Sequence, residues 1–191
     1  MHIVPATSAS SWLPAFGKGR GADPRYVEGV LNFKCPTTKE EVQRFIGLVG
    51  FYSKFTRKLC YRVAPIRRHA KLGGFQGWNS TNQPAFEELR NVLLTPPVLH
   101  NSDWTGATTG TQREMRLTTD YSKTGMGAVL MMLFEDGWPP ICYSSRSTTA
   151  VEARVLDTAS GKACELIWAL GKLRPYFARR RLQVLTDHAD L

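Results

Sequence analysis

Leu117-Thr118-Thr119-Asp120-Tyr121-Ser122 and, much later, Val184-Leu185-Thr186-Asp187-His188 are each a short apolar run closing on an aspartate. A sheet uses this arrangement to place carboxylates at the ends of its strands. Two aspartates on adjacent strand ends are able to bridge a pair of divalent ions about 4 Å apart, one ion activating a water and the other stabilising a leaving oxygen. Oxygen ligands favour Mg²⁺ or Mn²⁺. A third carboxylate is expected on the helical segment between the two runs, Ala159 to Phe177. Taken alone, the two Thr-Asp endings are weak evidence, because solvated aspartates at strand termini are far commoner.

Working outward, three strands are expected near Glu114 to Thr119, Gly127 to Phe134 and Pro140 to Ser144, with Glu135-Asp136-Gly137 as a hairpin turn. The helix over 159–177 carries Ala163, Leu166, Leu170, Leu173 and Phe177 on one side, and Pro175 perturbs its last turn. Arg179 to Arg181 form a basic surface turn into a fourth strand, Leu182 to Thr186. The order strand, strand, strand, helix, strand is that of a mixed α/β domain. Asn101 to Thr111 reads as a polar, glycine-rich linker.

The first half is helical. Asp23 caps and Pro24 opens a short helix that ends near Asn32. Thr38 and Glu41 make a capping box, and Val42, Phe45, Ile46 and Val49 form one apolar face. Gly47 and Gly50 weaken that helix by about 1 kcal/mol each unless they admit a close neighbour. Tyr52, Phe55 and Tyr61 read as core residues. Asn82 and Pro84 open a further helix, which Thr95-Pro96-Pro97 ends. Between these helices lies a cationic stretch, Arg57, Lys58, Arg62, Arg67, Arg68 and Lys71, interleaved with Leu59, Tyr61, Val63 and Ile66. It reads equally as a phosphate-binding surface and as a solvated basic helix. Residues 5 to 22 read as a flexible loop in which Trp12 and Phe16 are weak anchors.

The 191 residues, 42% hydrophobic, suffice for one large domain or two small ones with packed cores, and the net charge of +9 favours a polyanionic partner. Cys35, Cys60, Cys142 and Cys164 are far apart and lack zinc-ligand spacing, so reduced thiols in an intracellular protein are expected. No apolar run is long enough to span a bilayer, and the N-terminus has no signal-peptide pattern.

Many short motifs then agree in order. They include Pro36-Thr37-Thr38, Phe45-Ile46-Gly47-Leu48-Val49-Gly50-Phe51-Tyr52, Ala64-Pro65, Trp78, Ala85-Phe86-Glu87-Glu88-Leu89 and Pro97-Val98-Leu99. Thr119-Asp120-Tyr121-Ser122, Gly127-Ala128-Val129-Leu130, Tyr143-x-Ser145-Arg146, Trp168-Ala169-Leu170, Arg174-Pro175-Tyr176 and Thr186-Asp187-His188 follow. Over nearly its full length the chain resembles the pol polyproteins of gypsy-type LTR retrotransposons, in the segment after the reverse transcriptase palm.

The resemblance implies a palm-exit remnant and loop over residues 1–34, a helical thumb or connection region over 35–100 and a truncated RNase H-like domain over 101–191. It implies an α/β (α+β) fold with an incomplete mixed sheet. It also implies an RNA/DNA hybrid or duplex as partner, the rest of a pol polyprotein as context, and Mg²⁺ or Mn²⁺ held by Asp120 and Asp187. Three departures follow. The polymerase Tyr-x-Asp-Asp motif is missing. Counting back from Trp168 puts Lys162 where the family carries its helix-borne catalytic glutamate, and an ammonium there repels a metal. Glu165, one turn on, is the substitute catalytic carboxylate, but about 4–5 Å further along the axis. The sequence stops soon after Asp187, which leaves Leu182 to Thr186 as an unpaired edge. His188 reads as a loop residue. The expectation is a fragment inactive by itself; the alternatives are a non-catalytic nucleic-acid-binding module or an unselected relic.

Overall fold

The computed structural model describes residues 15–16, 19–20, 24–71, 82–94, 99–100, 113–178 and 180–185. The helical half comprises α1 (Pro24–Leu31), α2 (Lys39–Gly50), a 3-10 turn (Phe51–Phe55), α3 (Leu59–Lys71) and α4 (Gln83–Leu94). The capping box is present in full: Thr38 accepts from the Glu41 N–H, and Glu41 reaches back to the cap. Val42, Phe45 and Val49 project into a core shared with Val30, Tyr52, Phe55, Val63, Ile66, Phe86, Leu89 and Leu93. Phe45 lies at its centre, 4.6 Å from the Phe86 ring and 5.4 Å from Phe33, tilted in each case.

Gly47 and Gly50 do not serve close packing, because a Cβ at either would meet nothing within 4 Å. Part of the expected loop over 5–22 is ordered as strand instead. β1 (Ala15–Phe16) and β2 (Gly19–Arg20) pair antiparallel, and β2 pairs with β3 (Leu99–His100). Trp12, Trp78 and the linker over 101–111 lie outside the described residues.

The second sheet has the order β6-β5-β4-β7, from β4 (Met115–Ser122), β5 (Gly125–Met132), β6 (Pro140–Ser147) and β7 (Leu182–Leu185). The first three strands form an antiparallel meander, and β7 lies parallel to β4. A parallel neighbour requires a crossover. It is made by α5 (Ala150–Val155) and α6 (Thr158–Phe177). Gly137, at φ +117, closes the β5–β6 hairpin, a conformation that a side chain disfavours. Met115, Leu117, Ala128, Leu130 and Met132 face α6 and pack on Ala169 and Leu173. β7 is the sheet edge, where Val184 and Leu185 are exposed.

The buried line of α6 is Gly161, Glu165, Ala169 and Leu173. The expected face, Ala163, Leu166, Leu170, Leu173 and Phe177, is displaced from it; Leu166, Leu170 and Phe177 are partly buried at its flank. Gly161 is required, since a Cβ there would sit 2.1 Å from the Tyr121 ring. Among the described residues no helix is long and apolar enough to cross a membrane. Tyr143 of β6 packs against the helical core, and so joins the two halves.

Candidate functional site

Asp120 lies inside β4, opposite Gly127 of β5, and not at the strand's end, because β4 continues to Ser122. Alternation buries Met115, Leu117 and Thr119, and turns Arg116, Thr118 and Asp120 the other way. The Asp120 carboxylate forms an ion pair with the Lys58 ammonium, both side chains about half exposed. Lys58 precedes α3 with φ +55, the one positive φ of a non-glycine residue among those described. For a lysine this left-handed conformation costs about 1–2 kcal/mol.

The first turn of α3 completes the contact. The Cys60 N–H donates to Ser145 Oγ at 3.2 Å, and the Tyr61 hydroxyl donates to the Gly125 carbonyl at 2.6 Å. Ser122 Oγ lies 3.1 Å from the Tyr61 hydroxyl. Burial holds the Tyr61 phenol above its ordinary pKa, which keeps its donating proton in place. Further along α3, Arg67 donates to Ser147 Oγ at 3.1 Å.

Glu165 approaches the same point from α6. It is 1% exposed. One carboxylate oxygen accepts from the Asp120 N–H at 3.1 Å and from the Gly127 N–H at 2.9 Å. Burial raises its pKa to about 7, against the lowering effect of those two N–H groups, and the Asp120 charge adds to the rise. Glu165 therefore reaches the β4–β5 register at Asp120 despite the axial offset expected from the sequence. It does so through the main chain, and its bonding oxygen is committed to the sheet. Lys162 is half-buried one turn earlier.

The described part of this donor set, Asp120 and Glu165, does not present a divalent-metal site. Among the described residues no group of three or more His, Cys, Asp or Glu side chains is gathered. Asp120 is paired with an ammonium, and Glu165 is tied to backbone N–H groups. Asp187 and His188 lie outside the described residues.

The cationic stretch does not form one uniform face. Arg57 and Arg68 are exposed. Lys58 is held by Asp120, Arg62 by Glu88 and the Arg57 carbonyl, and Arg67 by Ser147. The Lys71 side chain lies outside the described residues. The cleft beside Arg57 and Arg62 is also lined by Glu87 and Glu88; Glu88 pairs with Arg62, and Arg57 stays exposed.

One junction went unread in the sequence. Arg146 of β6 binds both carboxylate oxygens of Glu152 in α5, at 2.8 and 2.7 Å, and its guanidinium lies 5.5 Å from the Trp168 ring centroid. The pair holds the Glu152 carboxyl down to about 2. Thr149-x-x-Glu152 is a capping box, a signal that would have revealed α5.

Comparison with known proteins places these features. Residues 78–184, more than half the chain, match the family model described as the RNase H-like domain found in reverse transcriptase. The chain is 28% identical over 174 residues to the retrovirus-related Pol polyprotein from transposon 412 of Drosophila melanogaster, covering 91% of this chain and 13% of that protein. It is 29% identical over 188 residues to the gypsy Pol polyprotein of the same organism, covering 91% and 17%. It thus spans less than a fifth of the curated relatives it matches. Among solved structures, the foamy viral protease-reverse transcriptase dRH in complex with double-stranded DNA superposes with TM-score 0.74 at 19% identity, over 91% of this chain and 29% of that one. The foamy viral protease-reverse transcriptase in complex with an RNA/DNA hybrid gives 0.72 at 18%, over 91% and 23%. The sheet order, the crossing helix and the matched family model agree: this chain belongs to the family of RNase H-like domains found in reverse transcriptases.

Proposed function

We propose that this chain is the connection and RNase H-like segment of a retrotransposon Pol polyprotein, and that it holds an RNA/DNA hybrid or DNA duplex without cutting it. Residues 1–34 correspond to the palm exit, 35–100 to the thumb or connection region, and 101–191 to the RNase H-like unit. Nucleases of this family act through a divalent metal such as Mg²⁺ or Mn²⁺; the candidates for its ligands in this chain are Asp120, Asp187 and Glu165, of which Asp120 is taken by Lys58 and Glu165 by backbone N–H groups.

The observation that carries the non-cutting reading is the direction of Glu165, whose bonding oxygen points into the β4–β5 backbone. A metal at Asp120 would be left without that ligand. Duplex holding is supported by the net charge of +9, by the exposed Arg57 and Arg68, and by the fold shared with a polymerase solved on both kinds of duplex. Contacts of this kind grip phosphates and do not read sequence.

The test is fluorescence anisotropy with a labelled RNA/DNA hybrid, without Mg²⁺, from 50 to 200 mM salt. The expected result is affinity that falls steeply with salt and weakens in an Arg57→Ala/Arg68→Ala double variant. Binding insensitive to salt, or unchanged in that variant, would overturn the reading.

A further inference from the structure

We propose that Asp120 is an anchoring residue: its carboxylate holds the Lys58 ammonium in place of a metal ion, and this pair fixes the first turn of α3 on the sheet. Four observations converge. The ion pair is seated where the two halves of the molecule meet. It is flanked by the Cys60 N–H on Ser145, the Tyr61 hydroxyl on Gly125 and Ser122, and Arg67 on Ser147, a polar seam crossing the ends of β4, β5 and β6.

Lys58 is also held at φ +55, a backbone conformation lysine avoids unless its surroundings impose it. It is therefore positioned by the seam and is not a freely swinging surface cation. Finally, Glu165 spends its bonding oxygen on the backbone at Asp120 and Gly127, so one ammonium on Asp120 satisfies the exposed carboxylate that remains. On this account Lys58 leaves the set of duplex-binding cations and becomes part of the protein's internal architecture. The inference does not depend on nucleic-acid binding.

Two measurements on the full chain test it. The first is acetylation of each lysine by a limiting activated ester, followed by mass spectrometry. The reagent reaches the Lys58 nitrogen only when the ion pair opens, so Asp120→Asn should raise the Lys58 rate about fivefold, the factor that corresponds to about 1 kcal/mol of pairing. Lysines away from the seam, such as Lys39, should be unchanged. The second is Mn²⁺ titration read by water-proton relaxation. The unaltered chain should show no Mn²⁺ site that Asp120→Asn removes, and Lys58→Met, which frees the Asp120 carboxylate, should bind Mn²⁺ more than the unaltered chain does, a gain lost in Lys58→Met/Asp120→Asn. Circular dichroism verifies that each variant is folded, and Asp120→Ala replaces Asp120→Asn if the latter is not. A Lys58 rate unchanged on removal of the carboxylate, a Mn²⁺ site in the unaltered chain that requires Asp120, or Mn²⁺ affinity unmoved by Lys58→Met would each overturn the proposal.

Discussion

Replacing Glu165 with glutamine is expected to stabilise the protein above neutral pH and to flatten its pH dependence. Glu165 is 1% exposed, and burial lifts its pKa from 4.5 to about 7. The folded protein therefore keeps a proton through a pH range in which the unfolded chain has released it. The sign follows: stability from this group is greatest below about pH 4.5, declines as pH rises to about 7, and is flat beyond. Each pKa unit corresponds to about 1.4 kcal/mol, so the loss across the interval is about 3 kcal/mol as an upper figure. Glutamine keeps an acceptor oxygen for the Asp120 and Gly127 N–H groups and carries no charge. Its amide N–H₂ would face the hydroxyl of Thr119, which interacts with Glu165 in the native protein. Urea unfolding of both proteins at pH 5, 6, 7 and 8 measures the effect. The curves should nearly meet at pH 5, with the variant more stable by about 1–3 kcal/mol at pH 8. Parallel pH profiles, or a variant less stable at pH 8, would refute the argument and show that the ionised carboxylate is what the two N–H groups require.

Further expectations rest on other contacts. Glu152→Gln should cost about 1–2 kcal/mol at pH 7 by weakening the α5 cap and the Arg146 pair, measured by urea unfolding. Because the native carboxyl titrates at about 2, this contribution is present above pH 4.5 and fades as pH falls toward 2, so the two proteins should converge near pH 2–3. Gly161→Ala should destabilise by about 1–3 kcal/mol, since its Cβ would meet the Tyr121 ring at 2.1 Å. Gly47→Ala should stabilise by about 0.5–1 kcal/mol, because its Cβ enters open space within a helix. Thermal melting of the two glycine variants should therefore move in opposite directions.

Much of the fold is legible in the sequence because caps, turns and periodicity are local signals. The Thr38/Glu41 box, the Glu135-Asp136-Gly137 turn and the alternation Met115, Leu117, Thr119 each specify their element without help from distant residues. The site was less legible because its geometry is set by residues that hydrophobicity ranks wrongly. The buried line of α6 runs through a glycine and a glutamate, and a search for apolar spacing moves to a neighbouring stripe. That displacement hid how closely Glu165 approaches Asp120. Lys58 illustrates a second limit. Its charge is plain in the sequence, but its partner lies 62 positions away on another element, and its φ of +55 has no sequence signal where glycine or asparagine is absent. The pairing of β1 and β2 with β3 was equally hidden, since two-residue strands carry no period.

The central claim is that this RNase H-like segment holds a duplex but does not cut it. The most direct measurement is incubation of the purified chain, shown to be folded, with a labelled RNA/DNA hybrid in Mg²⁺ and in Mn²⁺, beside Asp120→Asn. The account predicts that the hybrid is bound and remains intact with both proteins. Cleavage by the unaltered chain that disappears in Asp120→Asn would contradict it.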